Sequence, residues 1–189
     1  MKLNKIVTIL SKIAEVGYWV GCAIVAVIIA GIAGGHFSFI SKLTDVDPSA
    51  GKDLVSFGFS IMTVDSAGNS IRGAYTIFFI TILIMMALMA MICRNIYLIF
   101  KTTEGKTRFS KGQTPFQPDN IRMVREIGIF LIAIPVVGLI MDIIAHIALG
   151  PEIECSMDLH FIIVGLVAIC LSRFFTYGME LQEDIDGLV

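Results

Sequence analysis

Gly73–Cys93 reads GAYTIFFITILIMMALMAMIC, twenty-one consecutive residues without a charged side chain. At 1.5 Å of rise per residue, a helix of that length covers the roughly 30 Å of a bilayer's hydrocarbon core. A second run, Val16–Gly35, holds twenty residues without a charge. Two more apolar stretches follow, giving spans at about 16–35, 74–94, 127–149 and 157–177. The whole chain has 189 residues, of which 56% are hydrophobic and 16% charged; a soluble domain carries about 25% charged residues. A soluble domain of this size has one core and much surface, so it cannot hide four such runs. An ordinary cytoplasmic enzyme and a disordered chain are both excluded. Helices are required because each span must satisfy its own backbone hydrogen bonds in lipid. A barrel would need alternating segments of about ten residues, and these runs do not alternate. The expected fold is therefore an all-α membrane protein, a four-transmembrane-helix bundle forming one integral domain over 1–189.

The first span is preceded by an amphipathic stretch. Leu3, Ile6, Val7, Leu10 and Ile13 share one helical face, with Lys5, Thr8 and Lys12 opposite; this reads as one helix that starts at the interface and then enters lipid. A cleaved signal peptide is the alternative, against which the apolar run is too long. Basic residues set the expected orientation. The segment Arg94–Glu126 has seven bases against three acids, and the segment 150–158 has three acids and no base. The positive-inside rule then places both termini and the loop 95–126 in the cytoplasm of a prokaryotic cell, with segments 36–72 and 150–158 outside.

The outer segment 36–72 contains LVSFGFSIMTVD, rich in β-branched and aromatic residues, followed by the turn formers of DSAGN and a return through SIRGAYT. It predicts a small extracytoplasmic β-hairpin or cap between the first two spans, serving either as a lid or as a binding surface. In the cytoplasmic loop, Gly105, Gly112, Pro115 and Pro118 break any continuous helix, and Asp119 or Asn120 is the expected N-cap of the third helix. Phe116 is expected to dock against the bundle's cytoplasmic end. The loop lacks the Gly-rich run with Lys-Ser or Lys-Thr of a phosphate loop.

GQTPFQPDNIRMVREIG in this loop and FFTYGMELQEDIDGLV after the last span carry a resemblance. Both resemble the prokaryotic membrane family catalogued as domain of unknown function 2975, and the likeness covers almost the whole chain in the same four-span order. The family's TPF corresponds to Thr114, Pro115 and Phe116, its Asn and Arg pattern to Asn120, Arg122 and Arg125. Its terminal G-x-x-L-x-x-E-x-D corresponds to Gly178, Leu181, Asp184 in place of Glu, and Asp186. Genes of that family often neighbour small Cro-like helix-turn-helix regulators, so the resemblance implies a regulatory protein partner. It implies no catalytic residues. Pro115, Phe116, Asn120, Arg122, Arg125, Asp184 and Asp186 are accordingly the candidate cytoplasmic partner face, with docking of the acidic tail on the basic loop as the structural expectation.

The sharpest anomaly is Asp142, a carboxylate inside the third span. Such a group costs several kcal/mol unless it is paired, protonated or hydrated. His146 is one turn further along the same face, and His160 opens the fourth span at about the same level. With Glu154, Cys155 and Asp158 they form a candidate outer polar cluster. Two readings stay open: a proton-sensitive or metal-binding site at Asp142, His146, His160 and Glu154, or an interhelical hydrogen bond that fixes packing. The HExxH signature of a zinc protease is absent. Gly17 with Gly21, and Gly31 with Gly35, have the spacing for close helix approach. Pro135 removes a backbone donor within the third span. Met85, Met86, Met89 and Met91 read as packing.

Three functions fit. The first is a non-enzymatic membrane regulator or sensor with a cytoplasmic protein partner, a helix-turn-helix regulator by the resemblance. The second is a small transporter or channel subunit, which would require a homo-oligomer. The third is a metal-binding membrane protein or enzyme, for which no convergent acid, base and nucleophile set appears. Formal net charge is −2, so no direct nucleic-acid binding is expected. The four cysteines suggest no disulfide scaffold, and Cys155, outside the spans, is the one placed for an intermolecular bridge.

Overall fold

A computed structural model describes residues 2–37, 53–64, 69–107, 114–150 and 152–186. Four long helices dominate: α1 (Lys2–Ala33), α2 (Arg72–Thr103), α3 (Pro118–Leu149) and α4 (His160–Asp186). Each is long and apolar enough to cross a membrane. Three short strands complete the fold: β1 (Leu54–Ser56), β2 (Phe59–Ile61) and β3 (Cys155–Met157). They form one antiparallel sheet in the order β1-β2-β3.

The side chains identify the solvent. In the most apolar window of α4 only 11% of residues are buried within the protein, and in α1 only 17%. Ile147 is 80% exposed, Val27 70% and Phe174 69%. Water would penalise such continuous apolar surface, whereas lipid tails do not. This is a multi-pass membrane protein. Hydroxyls within the helices return their hydrogens to their own helix, as a dry environment requires. Thr81 Oγ1 donates to the Ile77 carbonyl at 2.8 Å and Ser172 Oγ to the Ile169 carbonyl at 2.6 Å.

The contacts group the chain into two compact units. One gathers the described residues of Met1–Tyr18, Leu88–Ala133 and His160–Val189. Its core includes Ala90, Ile92, Met123 and Val124, with Asn95, Thr102, Gln117 and Asn120 buried beside them. Here α3 and α4 meet at two glycines. A Cβ at Gly128 would lie 2.7 Å from the Gly165 carbonyl oxygen, and a Cβ at Gly165 2.7 Å from that of Gly128. Among the glycine pairs of the first span, by contrast, Gly17 and Gly35 have nothing within 4 Å, and Gly21 faces the Met86 side chain. The close approach is made by small residues from two different helices, not by a spaced pair on one.

The other unit gathers the described residues of Trp19–Ala87 and Ile134–Leu159. Phe59, Ile61, Ala74, Tyr75, Ile134 and Ala145 are at its centre, each fully buried. The Arg72 guanidinium, at the start of α2, donates to the Ile32 carbonyl near the end of α1, satisfying one of the carbonyls a helix terminus leaves unpaired. The expected small sheet is present, with its parts arranged differently. LVSFGFSI is itself the hairpin, because Phe57 (φ 50°) and Gly58 (φ 77°) form a two-residue turn with both φ positive. The expected turn at DSAGN falls mostly on residues outside those described, flanked by a Val64–Ser70 bridge and a hydrogen bond from Ile71 N to the Thr63 carbonyl at 2.8 Å. The return stretch SIRGAYT is not a strand, since α2 already begins at Arg72.

Two helix starts also differ from expectation. α3 begins at Pro118, not after an Asp119 or Asn120 cap. Proline's fixed φ and missing N–H suit the first helical position, so Asp119 enters the first turn, where its charge favours the helix dipole. Met157, expected to open the fourth span, lies in β3, and α4 starts at His160. The reason is pairing: β2 offers a free edge, and Phe59–Met157, Ser60–Ser156 and Ile61–Cys155 take it. Pro135 is fully buried within an α3 that runs unbroken to Leu149.

Candidate metal centre

Asp142 and His146 stand four residues apart on α3, hence on one face. The structure adds a third donor, Cys155. One ligand atom from each of the three lies within 4.8 Å of the other two. The fold brings them together by matching two repeats. Met157 sits over Gly138, where a Cβ would come within 2.4 Å of its sulfur. Four residues along α3 from Gly138 to Asp142 rise about 6 Å. Two residues along β3 from Met157 to Cys155 rise about 6.6 Å. Seating Met157 on Gly138 therefore carries Cys155 to Asp142. Gly150, at φ +100°, ends α3 and turns the chain back toward the strand.

His146 Nδ1 lies 3.0 Å from the Asp142 main-chain oxygen and 3.1 Å from Asp142 Oδ1. Only the first contact has hydrogen-bond geometry, which the Nδ1–H tautomer satisfies by donating to the carbonyl. Asp142 Oδ1 is buried and left without a hydrogen-bond partner. The Asp142 side chain is 30% exposed, and a buried carboxylate oxygen without a hydrogen bond favours a cation beside it. Burial, and next the Asp142 carboxylate, push the Cys155 thiol up to about 11. A divalent cation that displaces the thiol proton would gain one oxygen, one nitrogen and one sulfur ligand. That mixture suits zinc, cobalt or nickel better than magnesium or calcium. A tetrahedral site has ligand separations of roughly 3.3–3.8 Å, and His146 Nδ1 already lies 3.1 Å from Asp142 Oδ1.

A cavity of about 380 Å³ adjoins the cluster, lined by His146 and Cys155 with Asp53, Ser60, Glu154 and Ser156. Glu154 is exposed, and its main-chain oxygen accepts a hydrogen bond from Met62 N at 2.9 Å. It stands at the rim, available as a fourth ligand, outside the cluster itself. His160 belongs to the other unit, where it opens α4 with its ring stacked on Phe161 at 4.6 Å. Among the described residues the donor cluster contains Asp142, His146 and Cys155 and neither Glu154 nor His160. Cys155 belonged to the loop acids and histidines that the sequence placed together. Its role depended on a three-residue strand with no visible alternation.

The proposed cytoplasmic face divides into packed and exposed residues. Asn120 is fully buried, donating to the Pro115 carbonyl at 3.0 Å and to Thr103 Oγ1 at 3.4 Å. Thr114 Oγ1 donates to Gln182 Oε1 at 2.9 Å, and the Phe116 ring packs on Phe175 at 5.7 Å. A Cβ at Gly178 would meet the Phe116 ring at 2.5 Å. So Thr114, Phe116 and Gly178 join the loop to the last turns of α4, while Asn120 ties it to the end of α2. Pro115, Arg122, Arg125 and Asp184 are exposed. The Asp186 side chain lies outside the described residues.

The fold and the cluster define a small multi-pass helical membrane protein whose third helix and short sheet together present a mixed oxygen, nitrogen and sulfur donor set. No family model, no curated protein and no solved structure matches the chain. The family resemblance therefore rests on the motifs quoted above.

Proposed function

We propose that this protein is a non-enzymatic membrane sensor that binds a divalent transition-metal cation at Asp142, His146 and Cys155. The observation that carries the reading is the convergence of three chemically different donors within 4.8 Å, one of them holding a buried unpartnered oxygen. Three protein ligands with a fourth position open suit an ion that must come and go, whereas permanent structural zinc sites are closed by four. The positive-inside pattern puts the cluster at the outer end of α3, facing the periplasm or medium of a prokaryotic cell, with both termini in the cytoplasm. Asp53 and Glu154 at the rim draw cations toward it. The output, following the family resemblance, is a helix-turn-helix regulator that meets the exposed Arg125 and Asp184.

Equilibrium dialysis of the purified full chain in detergent, with zinc alone as the probe, tests the site. One ion per chain is expected, with Cys155→Ser and Asp142→Asn each weakening it about tenfold or more. Equal zinc uptake by wild type and a Cys155→Ser/Asp142→Asn double variant would remove the reading. Orientation is tested separately: a fluorescent reporter fused after Lys106 should fold in the cytoplasm, and a secretion-dependent phosphatase fused after Ser156 should be active.

A further inference from the structure

A second cavity, of about 350 Å³, lies in the unit that holds Ala90 and Met123 and is lined by none of the donors of the metal cluster. Its charged wall comes from two helices: Arg94 and Asn95 from α2, and Asp119, Arg122 and Glu126 from α3. Met123 contributes to an apolar floor. Arg94 ends the charge-free run of α2, and Arg122 precedes the apolar run of α3 that starts at Ile127. Both helices therefore present this cavity where their apolar stretches stop, at the level of lipid headgroups.

The charges are unequally committed. Glu126 is held on both oxygens, Oε1 accepting from Arg122 Nε at 2.8 Å and Oε2 from the buried Asn95 Nδ2 at 3.1 Å. That arrangement neutralises Glu126, orients Arg122, and leaves the terminal guanidinium nitrogens of Arg122 unspent. Arg94 makes no side-chain hydrogen bond or ion pair among the described residues, and neither does the Asp119 carboxylate. The wall thus offers one uncommitted cation, a second guanidinium with free donors, and one uncommitted anion. Guanidinium pairs suit phosphate oxygens. A nearby carboxylate suits a primary ammonium, which can donate to it, and gives a quaternary ammonium no hydrogen bond.

We infer that this cavity binds a phospholipid headgroup that carries both a phosphate and a primary ammonium, with Arg94 and Arg122 on the phosphate and Asp119 on the ammonium. The apolar floor continues along the lipid-exposed helix surface and leaves the acyl chains in the bilayer. The site specifies a zwitterion because its uncommitted charges sum to zero.

The test is native mass spectrometry of the full chain in detergent doped with phosphatidylethanolamine, phosphatidylcholine or phosphatidylglycerol. Phosphatidylethanolamine should be retained several-fold more than either competitor. Arg94→Ala should lower its retention about tenfold. Asp119→Asn keeps a side chain suited to a helix start and should shift preference toward phosphatidylglycerol. Arg173→Ala, exposed and outside the cavity lining, is the control and should leave lipid retention unchanged. Equal retention of phosphatidylcholine, or indifference to both Arg94→Ala and Asp119→Asn, would overturn the inference. Soluble phosphoethanolamine displacing the lipid at equal concentration would assign the same chemistry to a free metabolite and overturn the lipid as its source. None of these readouts depends on zinc, so failure here leaves the metal site standing, and the converse holds.

Discussion

Replacing Gly128 by alanine probes the packing most sharply, because the new methyl meets backbone. Its carbon would lie 2.6 Å from Ile169 Cγ1, 2.7 Å from the Gly165 oxygen and 3.0 Å from Ile169 N. A side chain can rotate away, but a carbonyl on a facing helix cannot. Restoring ordinary contact requires α3 and α4 to part by about 0.6 Å, and a gap of that size forfeits a quarter to a half of each dispersion contact along the seam. Overpacking of this kind costs roughly 1–3 kcal/mol. Alanine's better helix propensity returns up to about 1 kcal/mol. The net expectation for Gly128→Ala is a loss of about 0–2 kcal/mol, a melting temperature lowered by up to a few degrees. Gly165→Ala should behave alike, since its methyl would meet the Gly128 oxygen at 2.7 Å. One separation relieves both clashes, so the double variant should lose clearly less than the sum of the singles. Thermal unfolding in detergent followed by circular dichroism reads all three. A raised melting temperature in Gly128→Ala, or strict additivity in the pair, would refute the crossing.

The remaining predictions concern the metal cluster and the loop before α3. Cys155, with its thiol pushed up to about 11, must lose a proton to ligate. Apparent zinc affinity should therefore rise about tenfold per pH unit from 7 to 8 and change little in Cys155→Ser; a flat wild-type profile in a pH-jump titration would exclude thiolate ligation. Gly138→Leu should displace Met157, and with it Cys155, weakening zinc binding without touching a donor; unchanged dialysis constants would show that the strand is not positioned by this contact. Phe116→Ala removes the ring packed at a tilt against Phe175 and should cost about 0.5–1.5 kcal/mol locally. Limited proteolysis should then cut the last turns of α4 faster, and an unaltered cleavage rate would mean that the ring does not hold them.

The helices were legible because lipid imposes one simple rule over twenty residues at a time. Gly73–Cys93 obeys it so fully that α2 could be placed from charge alone, and the tail's attachment to the loop followed from motifs that the structure joins through Thr114, Phe116 and Gly178. Short-range features were less visible. The Phe57–Gly58 turn places a phenylalanine at positive φ, a conformation its side chain disfavours, so the sequence offers no Asn-Gly signal there. β3 is three residues long and borrows its stability from β2, so no periodicity announces it. Asp142 and His146 were readable as an i,i+4 pair because both lie on one helix. Cys155 joins them only through the register of a strand against that helix. Gly128 and Gly165 escaped notice for the same reason, being neighbours in space on separate helices, whereas the conspicuous spacing of Gly17 and Gly21 on one helix marks no backbone crossing.

The account depends most on sulfur, nitrogen and oxygen sharing one ion. X-ray absorption at the zinc edge, on the purified chain loaded with one equivalent, reads that shell directly. A single sulfur at about 2.3 Å with nitrogen and oxygen at about 2.0–2.2 Å is the expected result. A shell of oxygen and nitrogen alone, unchanged in Cys155→Ser, would contradict it.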